Sequence, residues 1–404
     1  MISVEEARAR LLAPLKPLTA EQMPLADAFG RVLAEDVTAR RTQPPAALSA
    51  MDGYAVRAAD VARVPARLKV VGSVPAGKSH DKAVGPGEAV RIFTGAPLPE
   101  GTDAIVIQED AEREGDIVLV KEGAPKGRYV RPAGLDFIAG SVGISAGRRL
   151  TARDIGLAAA MDRPWLMVHR RPRVAILATG DEIVMPGDPV GPNQIVSSNS
   201  LALGAFVTAC GGVPLQLGIA ADKPEAVRQA AEGARGADLL VTSGGASVGE
   251  HDLVKDALGA AGLELDFWKI AMRPGKPLMV GRYRDAVMVG LPGNPVSALV
   301  CALIFLKPAI ERLSGLDPAA EPPVTARLAT ALPQNDRRQD YLRATLARAA
   351  DGDLQATPFQ KQDSSMISLL ARSHCLVVRP PLAPGAAAGE RVAIIPLGGG
   401  LLAL

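Results

Sequence analysis

The sequence predicts a multidomain α/β plus β protein whose centre is a doubly wound parallel sheet. Its 404 residues are too many for one ordinary core and suggest about three domains, at roughly 150 residues each. Unbroken apolar strands alternate with amphipathic helices between residues 172 and 317, as in a parallel sheet that helices cover on both faces. Short β-type runs and Gly/Pro turns fill the segments on either side.

The N-terminal part is predicted to hold three helices around an all-β module. A capping-box pattern at Ser3 begins a helix that runs to about Leu12. A second short helix is predicted around Pro24 to Leu33, and Thr151 caps a third helix over Ala152–Met161. The β-type runs of the module are Arg67–Val71, Ala89–Phe93, Ala104–Gln108 and Ile117–Val120.

The central and C-terminal parts follow in a regular order. The central strands are predicted at Arg173–Ala178, Val213–Ile219 and Leu239–Thr242, followed by a hairpin of Leu278–Val280 and Val287–Gly290. The central helices are predicted at Ser200–Ala209, Pro224–Glu232, His251–Ala260 and Val296–Leu313. Five final runs predict a small β-barrel or sandwich: Val324–Leu328, Tyr341–Ala347, Leu354–Pro358, Leu376–Val378 and Val392–Ile395.

These elements divide the chain into four predicted parts. The α/β domain comprises residues 1–22 and 172–317, and the N-terminal helix returns to it because its apolar stripe has no core of its own. The other parts are a helical or mixed linking domain (23–41 and 140–171), a β-rich inserted domain (42–139) and a C-terminal small β-barrel (318–404).

Composition and charge exclude several classes of function. The 45 basic and 43 acidic residues nearly cancel without a basic block, and aromatic residues are 3%, so no nucleic-acid partner is expected. No uncharged apolar run approaches the length of a membrane span, and the charged N-terminus is unlike a signal peptide. These features predict a cytoplasmic protein that makes no membrane contact.

Common metal and nucleotide motifs are also missing from the sequence. Cys210, Cys301 and Cys375 lie far apart and predict neither a disulfide nor a thiolate metal site. None of the four histidines pairs with another at ligand spacing, which disfavours a zinc hydrolase. The GxGxxG and GxxxxGK[ST] patterns follow no predicted strand, which disfavours ordinary dinucleotide and P-loop nucleotide binding.

Polar loops follow the central strands, at the edge where open parallel sheets bind ligands. The first strand runs into TGDE at residues 179–182, and another runs into TSGGASVGEHD at residues 242–252. Gly244, Gly245 and Gly249 let the backbone approach a ligand, and successive N–H groups ahead of a helix can bind an anion. A tight turn with a helix cap is the structural alternative, but the residue types favour a phosphate-bearing small molecule.

Three carboxylates, those of Glu182, Glu250 and Asp252, lie near the same strand ends. They would repel a bound phosphate unless a divalent cation lay between them, and Mg²⁺ bridges carboxylate and phosphate oxygens. The alternative is that they only favour a helix dipole, which suits Glu250 best. Both interpretations stay open for Glu182 and Asp252.

Two further loops add cations, an amide and a hydroxyl group. AMRPGKPL (271–278) projects Arg273 and Lys276 from a proline-stiffened turn, as suits an oxyanion, although lone surface cations are usually solvated. LPGNPVSA (291–298) supplies Asn294 and Ser297 at the start of the last central helix. A purely structural turn is the alternative for the loop at 291–298, which is the fourth polar loop after those at 179–182, 242–252 and 271–278.

Six motifs together resemble the MoeA family of molybdopterin molybdenumtransferases, and the gephyrin E domain is similar. They are SAMDGYAVR (49–57), RIFTGAPLP (91–99), TGDE (179–182), TSGGASVGEHD (242–252), RPGKP (273–277) and LPGNPVSA (291–298). The resemblance covers essentially the whole chain and implies a MogA-like central domain. It implies an enzyme that inserts molybdenum from molybdate into adenylylated molybdopterin and releases AMP, with Mg²⁺ present.

The resemblance also implies roles for individual residues. It assigns catalysis to Asp252, Glu182 and Lys276, and it assigns Mg²⁺ to Glu182 and Asp252. The residues implied for the pterin substrate are Thr179, Asp181, Ser243, Gly244, Gly245, Ser247, Gly249, Pro292 and Asn294. Those implied for molybdate are Arg273 (where the family usually has lysine), Lys276, Ser297, Arg343 in QDYLRA and Ser364 in QDSS. Asp52, Thr94 and Asp136 match positions that complete the site from the other protomer of a homodimer.

Two other functions compete with this interpretation. A MogA-type adenylyltransferase shares the α/β module and makes the adenylated intermediate, but it would not need the β-rich insert or the C-terminal domain. Such an enzyme is instead a candidate partner of this chain. A non-catalytic molybdopterin-binding scaffold is the second alternative, and it would bind the substrates without turnover.

Overall fold

The computed structural model describes residues 1–244, 253–318 and 324–398, and of Trp268 it describes the backbone alone. Over these residues the chain forms three six-stranded sheets and four two-stranded sheets. In the same part of the chain, no helix combines the length and the apolar character that a membrane crossing requires.

The central sheet has the predicted doubly wound architecture. Its strand order is Val213–Ala220, Arg173–Thr179, Leu239–Ser243, Ala286–Leu291, Met279–Tyr283 and Leu263–Trp268. The first four strands are parallel, and the last two add antiparallel at one edge. The edge strand Leu263–Trp268 is the one strand of this sheet that the sequence analysis did not predict, although the alternation of its apolar positions with Glu264 and Asp266 is a strand pattern.

Helices cover both faces of this sheet and enclose two cores. Alternate residues of one strand divide between them: Val174 and Ile176 face the first core, whereas Ala175 and Leu177 face the second. The covering helices are Asn199–Ala209, Pro224–Glu232, Leu253–Gly259, Pro295–Cys301 and Lys307–Leu313. Burial on both faces explains why the strands read as unbroken apolar runs.

The helix predicted over Val296–Leu313 is helical throughout but contains a π-helical turn at Ala302–Leu306. Pro308 follows this turn, where a proline ring lacks an N–H and collides with the carbonyl of the preceding turn in a regular α-helix. A widened turn accommodates that conflict.

The N-terminal helix Val4–Leu12 returns to the central domain, as predicted. The Oγ atom of Ser3 accepts a 3.0 Å hydrogen bond from the backbone N–H of Glu6 and caps the helix. Val4, Ala7 and Leu11 are buried in the first core beside the last central helix. Burial of this stripe against the central domain therefore provides the core that the helix lacks alone.

The inserted segment forms a mixed six-stranded sheet. Its strand order is Ala104–Ile107, Gly53–Val56, Glu88–Ile92, Ala66–Val74, Ile117–Val120 and Ala111–Glu114. Two separate hydrophobic clusters pack on it, around Tyr54 and Val118 in one case and around Ile92 and Ile105 in the other. The four predicted β-type runs are all strands of this sheet.

Three short antiparallel ladders connect the insert to the central domain. They pair Ala20–Pro24 with Trp165–His169, Val37–Thr38 with Val142–Ile144, and Leu48–Ser49 with Val130–Arg131. The helix Ala152–Ala160 packs beside them, and Thr151 and Asp154 form its capping box. One shared core contains residues of both flanking segments, including Leu33 and Leu166.

The helix predicted around Pro24 to Leu33 is wrong. Only Leu25–Asp27 forms a 3₁₀ turn. The N–H groups of Leu25, Gly30 and Leu33 donate to carbonyl groups of residues 148–164 and not to their own segment. Pairing with a distant segment has therefore replaced the local helix, which a single-sequence pattern does not detect.

The C-terminal part is a closed five-stranded barrel. Gln339–Arg348 pairs with Leu354–Pro358, which is followed around the ring by Val324–Leu328, Arg391–Pro396 and Cys375–Arg379, and the last pairs again with Gln339–Arg348. A short helix, Ile367–Ala371, precedes the strand Cys375–Arg379 in sequence. The short strand Met272–Arg273 of the central domain adds to Gln339 and Asp340 and joins the two parts.

Candidate functional site

The first polar loop begins where the strand Arg173–Thr179 ends. Thr179 is buried, and its hydroxyl group has no hydrogen-bond partner among the described residues. Gly180 has a φ of +146°, and a Cβ added there would lie 2.4 Å from a carboxylate oxygen of Glu182. The Glu182 carboxylate therefore folds back over the glycine, exposed and unpaired within the described part of the chain. A buried hydroxyl without a partner is typical of a site that a ligand completes.

Asp181 is tied to a neighbouring strand end. Its Oδ1 atom accepts a 3.0 Å hydrogen bond from the N–H of Asp222, and its own N–H donates to Oδ2 of Asp222 at 3.4 Å. Asp222 was missed by the sequence analysis, and its position two residues after the strand Val213–Ala220 was the one local signal. The pair holds two strand-end loops together and leaves the remaining carboxylate oxygens facing solvent.

The second loop is described only as far as Gly244. This residue has a φ of +91°, and a Cβ added there would lie 2.4 Å from the carbonyl oxygen of Thr179. Only glycine fits this backbone without movement, so the first and second loops touch at this point. The other residues predicted in this loop (Gly245, Ser247, Gly249, Glu250 and Asp252) lie outside the described residues.

Asn199 connects the second loop to the fourth. Its side-chain Nδ2 atom donates to Oγ of Ser243 at 2.8 Å and to the carbonyl oxygen of Gly293 at 2.7 Å. A Cβ added to Gly293 would lie 3.6 Å from Cα of Gly244, so the two glycines are in contact. The sequence reasoning missed Asn199; its place in a polar run at a helix start, SSNS, was the available signal.

The fourth loop in turn reaches the C-terminal barrel. Nδ2 of Asn294 donates to Oγ of Ser364 at 2.9 Å, and the N–H of Val296 donates to the carbonyl oxygen of Ser364 at 3.1 Å. Pro292 and Ser297 are both buried at the base of the same loop. The structure therefore brings the predicted Ser243, Asn294 and Ser364 into one chain of contacts.

Arg343 is hydrogen-bonded to the barrel loop that contains Ser364 (residues 362–366). Its side chain is 1% exposed, and burial lowers the pKa of the guanidinium. Its Nη1 atom donates to the carbonyl oxygen of Asp363 at 2.8 Å, and its Nε atom donates to Oε1 of Gln362 at 3.2 Å. These bonds hold the residues next to Ser364. The arrangement is that of a residue that positions the loop, and a direct molybdate contact by Arg343 remains a prediction.

The basic loop contains two cations in different settings. Arg273 is bound to Asp340 and Asp336 of the barrel, where Nη1 lies 3.4 Å from Oδ2 of Asp336. Asp340 is 3% exposed, and burial raises the pKa of its carboxyl group despite the nearby guanidinium. Lys276 is half-buried, and its ammonium group has no ion pair or hydrogen bond to a described residue. Lys276 is therefore the cation of this loop that remains available to an anion.

Asp52 and Thr94 form a second polar group on the inserted sheet. Oδ1 of Asp52 accepts from the N–H and the hydroxyl group of Thr94, both at 2.8 Å, and the backbone bond is the main reason why the pKa of Asp52 is lowered. Asp136 is exposed and lies in sequence between the short strands Val130–Arg131 and Val142–Ile144. Within the described residues of one chain, no hydrogen bond or ion pair joins Asp52, Thr94 or Asp136 to the strand-end loops.

Comparison with known proteins identifies the family. The sequence matches the MoeA N-terminal region (domain I and II) over residues 2–161, a probable molybdopterin binding domain over 175–312 and the MoeA C-terminal region (domain IV) over 325–397. A molybdopterin molybdenumtransferase of Haemophilus influenzae is 34% identical over 400 residues, which are 98% of each chain. This chain belongs to the MoeA family.

Other MoeA-family proteins support the assignment. A Nostoc molybdopterin molybdenumtransferase is 38% identical and covers 87% of this chain and 83% of its own length. A crystal structure of a MoeA protein from Pyrococcus horikoshii superposes with a TM-score of 0.85 at 31% identity, over 99% of this chain and 100% of that one. The predicted family and fold class are thus confirmed, and this MoeA-family chain is a transferase of molybdenum cofactor biosynthesis.

Proposed function

We propose that this chain inserts molybdenum from molybdate into adenylylated molybdopterin and releases AMP in a Mg²⁺-dependent reaction. The observation that carries the proposal is the contact chain from Ser243 through Asn199, Gly293 and Asn294 to Ser364. It joins a glycine loop suited to phosphate with a barrel loop and lies on the domain that carries the free cation Lys276. A phosphate-bearing pterin and an oxyanion can therefore be held side by side.

The strand-end loops are the proposed binding site for the adenylylated pterin. Thr179 and Ser243 offer hydroxyl groups, and Gly244 keeps the backbone open to a phosphate. Asp181 and Pro292 shape the same loops. Gly245, Ser247 and Gly249 extend this proposed site along residues outside the described part of the chain.

The proposed contacts of molybdate are Lys276, Ser364, Ser297, Arg273 and Arg343. Lys276 supplies positive charge that no described carboxylate neutralises, whereas Arg273 is already paired with the barrel. The two thiol groups of the pterin displace one oxo ligand of molybdate, which takes up both thiol protons and leaves as water. A second water molecule attacks the phosphoanhydride between the pterin phosphate and AMP, and AMP leaves. Lys276 offsets the charge of the dianion as it approaches the thiol groups.

The residues at this site fit a bound Mg²⁺. Glu182 provides an exposed carboxylate that is unpaired among the described residues, on the same strand-end loop as the unpartnered hydroxyl of Thr179, and hard oxygen donors of this kind suit Mg²⁺. Glu182 and Asp252 would hold the ion, which would neutralise the phosphate oxygens near the cleaved bond. Among the described residues no group of three or more His, Cys, Asp or Glu side chains converges on one point, so phosphate oxygens and water would complete the coordination.

We further propose that the active form is a homodimer in which Asp52, Thr94 and Asp136 complete the partner's site. Asp52 and Thr94 are pre-ordered by two 2.8 Å hydrogen bonds, yet no bond within the described chain links them to the strand-end loops. An isologous contact would bring them to the other protomer's loops. The predicted domain boundaries, a cytoplasmic location and supply of the adenylated substrate by a MogA-type adenylyltransferase are part of the same proposal.

The reaction is tested by a turnover assay with adenylylated molybdopterin, molybdate and Mg²⁺. The expected result is AMP release coupled to formation of the molybdenum cofactor. The variant Asp252→Ala is expected to accumulate bound adenylylated molybdopterin and to lose turnover by orders of magnitude. Binding without AMP release by the wild-type protein would favour a scaffold, and formation of the adenylate from ATP would favour an adenylyltransferase.

The dimer is tested by mixing inactive variants. If the site is composite, a mixture of Asp52→Ala and Asp252→Ala forms mixed dimers with one intact site, and random exchange recovers about a quarter of wild-type activity. A mixture of Glu182→Ala and Asp252→Ala is the control, since both changes would lie on the same side of each site and recover nothing. Equal recovery in both mixtures, or a monomer in light scattering, would contradict this arrangement.

A further inference from the structure

We infer that Asn199 is a positioning residue that orients the Ser243 hydroxyl toward the bound substrate and holds the second and fourth loops together. This inference rests on the proposed function, since the substrate is the phosphate-bearing pterin proposed above. The carrying observation is that one amide nitrogen serves two different loops, with contacts of 2.8 Å to Ser243 Oγ and 2.7 Å to the Gly293 carbonyl oxygen.

Asn199 does not use its side chain for its own helix. It is the first residue of the helix Asn199–Ala209, whose N-terminus has no side-chain cap. Asn199 follows the N-cap residue Ser198, and no hydrogen bond joins its side chain to a described group of its own helix. Here the side chain instead points to two loops that follow other strands of the central sheet.

The hydrogen bond from the Asn199 amide fixes the orientation of the Ser243 hydroxyl proton. An asparagine amide nitrogen has two N–H donors, and both are used here. A serine hydroxyl has one donor and two acceptor lone pairs, so the bond from Asn199 occupies a lone pair and leaves the Ser243 proton as a donor. Ser243 is 3% exposed, and no described residue accepts that proton. An anion in the loop would accept it.

A buried hydroxyl group on the neighbouring strand end also lacks an acceptor. Thr179 Oγ1 has no partner among the described residues. Thr179 Oγ1 lies 3.2 Å from the point where a Cβ of Gly244 would be, next to the proposed phosphate site. Buried polar groups are nearly always satisfied, so donors of this kind mark a place where a ligand supplies the acceptor.

The second bond of Asn199 sets the spacing of the loops. Gly244 and Gly293 are in contact, and glycine backbones lose more conformational freedom on ordering than any others. Within the described residues no other side chain is hydrogen-bonded to both loops. Asn294, directly after Gly293, then holds Ser364 of the barrel. Loss of Asn199 would therefore loosen the second loop at Ser243 and Gly244 directly, and the Asn294–Ser364 contact less strongly.

The experiment compares Asn199→Ala with Asn193→Ala. Asn193 is exposed on the same segment and makes no side-chain hydrogen bond to a described residue, so it controls for loss of an asparagine. Asn199→Ala is expected to raise KM for adenylylated molybdopterin roughly tenfold, with a smaller rise in KM for molybdate, because two hydrogen bonds near the pterin are lost. Asn193→Ala is expected to match the wild type. A purely structural role would lower the active fraction, and with it kcat, while both KM values stayed unchanged; that result would overturn the inference.

Two further variants test the route through Ser243. Asn199→Asp keeps the shape of the side chain but replaces its N–H donors by acceptor oxygens. The Ser243 hydroxyl would then donate its hydrogen bond to Asp and not to the substrate, so this variant is expected to bind substrate more weakly than Asn199→Ala. In a Ser243→Ala background, Asn199→Ala is expected to cost distinctly less than in the wild type. If the effects of Asn199→Ala and Ser243→Ala on substrate binding were fully additive, Asn199 would not act through the Ser243 hydroxyl.

Calorimetric binding of adenylylated molybdopterin separates this inference from the proposed reaction. A wild-type protein that binds the compound but releases no AMP would overturn the reaction, and the Kd values of the same variants would still test Asn199. A wild-type protein that does not bind it would overturn both. A Kd of Asn199→Ala equal to that of the wild type would overturn the inference alone.

Discussion

The Nδ2 atom of Asn294 lies 2.9 Å from the Oγ atom of Ser364, and this hydrogen bond joins residues 70 positions apart in the sequence. The contact ties a loop of the central sheet to a loop of the C-terminal barrel. A backbone bond of 3.1 Å from Val296 to the carbonyl group of Ser364 accompanies it. The barrel loop is therefore held at the strand ends by two independent contacts.

Replacement of Ser364 by alanine is expected to affect molybdate more than stability. The backbone bond from Val296 remains, so the free energy of unfolding should fall by only about 1 kcal/mol. KM for molybdate should rise several-fold, while KM for the adenylylated pterin changes little. Ser365→Ala is the matched control, since the Ser365 hydroxyl donates to its own neighbour Asp363 at 2.6 Å. Equal KM values for the two variants would remove Ser364 from the molybdate site.

Replacement of Arg273 by alanine is expected to destabilise the protein in a pH-dependent way. The change leaves the Asp340 carboxylate buried without its cation, which should cost about 2 kcal/mol near pH 7, a value lowered because Arg273 itself is half exposed. Burial already raises the pKa of Asp340, and loss of the guanidinium raises it further.

The sign of the pH effect follows from that pKa. A carboxyl group whose folded-state pKa is raised favours the folded state below its unfolded pKa, and that contribution is lost as the pH rises through the folded pKa. Denaturant unfolding should therefore show a larger difference between Arg273→Ala and the wild type near pH 7 than near pH 4, roughly the unfolded pKa of Asp. Asp336, whose pKa Arg338 lowers to about 2, stays ionised in this window. Arg273→Lys should retain most of the stability at neutral pH, and a pH-independent loss in Arg273→Ala would contradict the argument.

Replacement of Lys276 by alanine is expected to weaken molybdate use selectively. The ammonium group is not paired with any described carboxylate, so its charge is available to the dianion. KM for molybdate should rise at least tenfold, whereas binding of the adenylylated pterin should change little. Added salt should weaken molybdate binding in both proteins. Lys276→Arg should keep most of the affinity, and equal loss of both ligands in Lys276→Ala would show that the loop is structural.

Replacement of Gly244 by alanine is expected to disturb the site beyond the ordinary cost of a positive φ. Alanine in this conformation costs about 1–2 kcal/mol, and its Cβ would also meet the Thr179 carbonyl oxygen at 2.4 Å. The loop must therefore shift. Turnover should be largely lost, while the free energy of unfolding falls by no more than the cost of the positive φ. Gly87→Ala is the control, because Gly87 has a φ of +71° with no atom within 4 Å of the added Cβ. Similar turnover in the two variants would show that the loop tolerates the shift.

Elements with a strong local pattern were predicted well. The strand Arg173–Thr179 and the helix Pro224–Glu232 follow from apolar periodicity and proline placement alone. The five runs of the C-terminal barrel also matched their strands. The helix predicted around Pro24 to Leu33 failed because its N–H groups pair with a segment more than a hundred residues away. Local patterns carry no information about such a partner.

The candidate site shows the same division. Glycine at position 244 and the cations of RPGKP could be recognised from residue type, since each has a local physical reason. Asn199 and Asp222 could not be ranked above other polar residues, because their significance lies in what they touch. The different fates of Arg273 and Lys276 were equally hidden, since Asp336 and Asp340 come from the barrel.

The sequence by itself determined most of the strands and helices, the glycine positions at the strand ends, the near-neutral charge and the family. Each of these depends on side-chain chemistry and on spacing along the chain. Only the tertiary structure decided that the Ser364 loop meets Asn294, that Arg273 is neutralised while Lys276 remains free, and that one asparagine holds two glycine loops together. The reason is physical: hydrogen bonds and ion pairs act over a few ångströms, and sequence distance does not report which atoms the packed core brings that close.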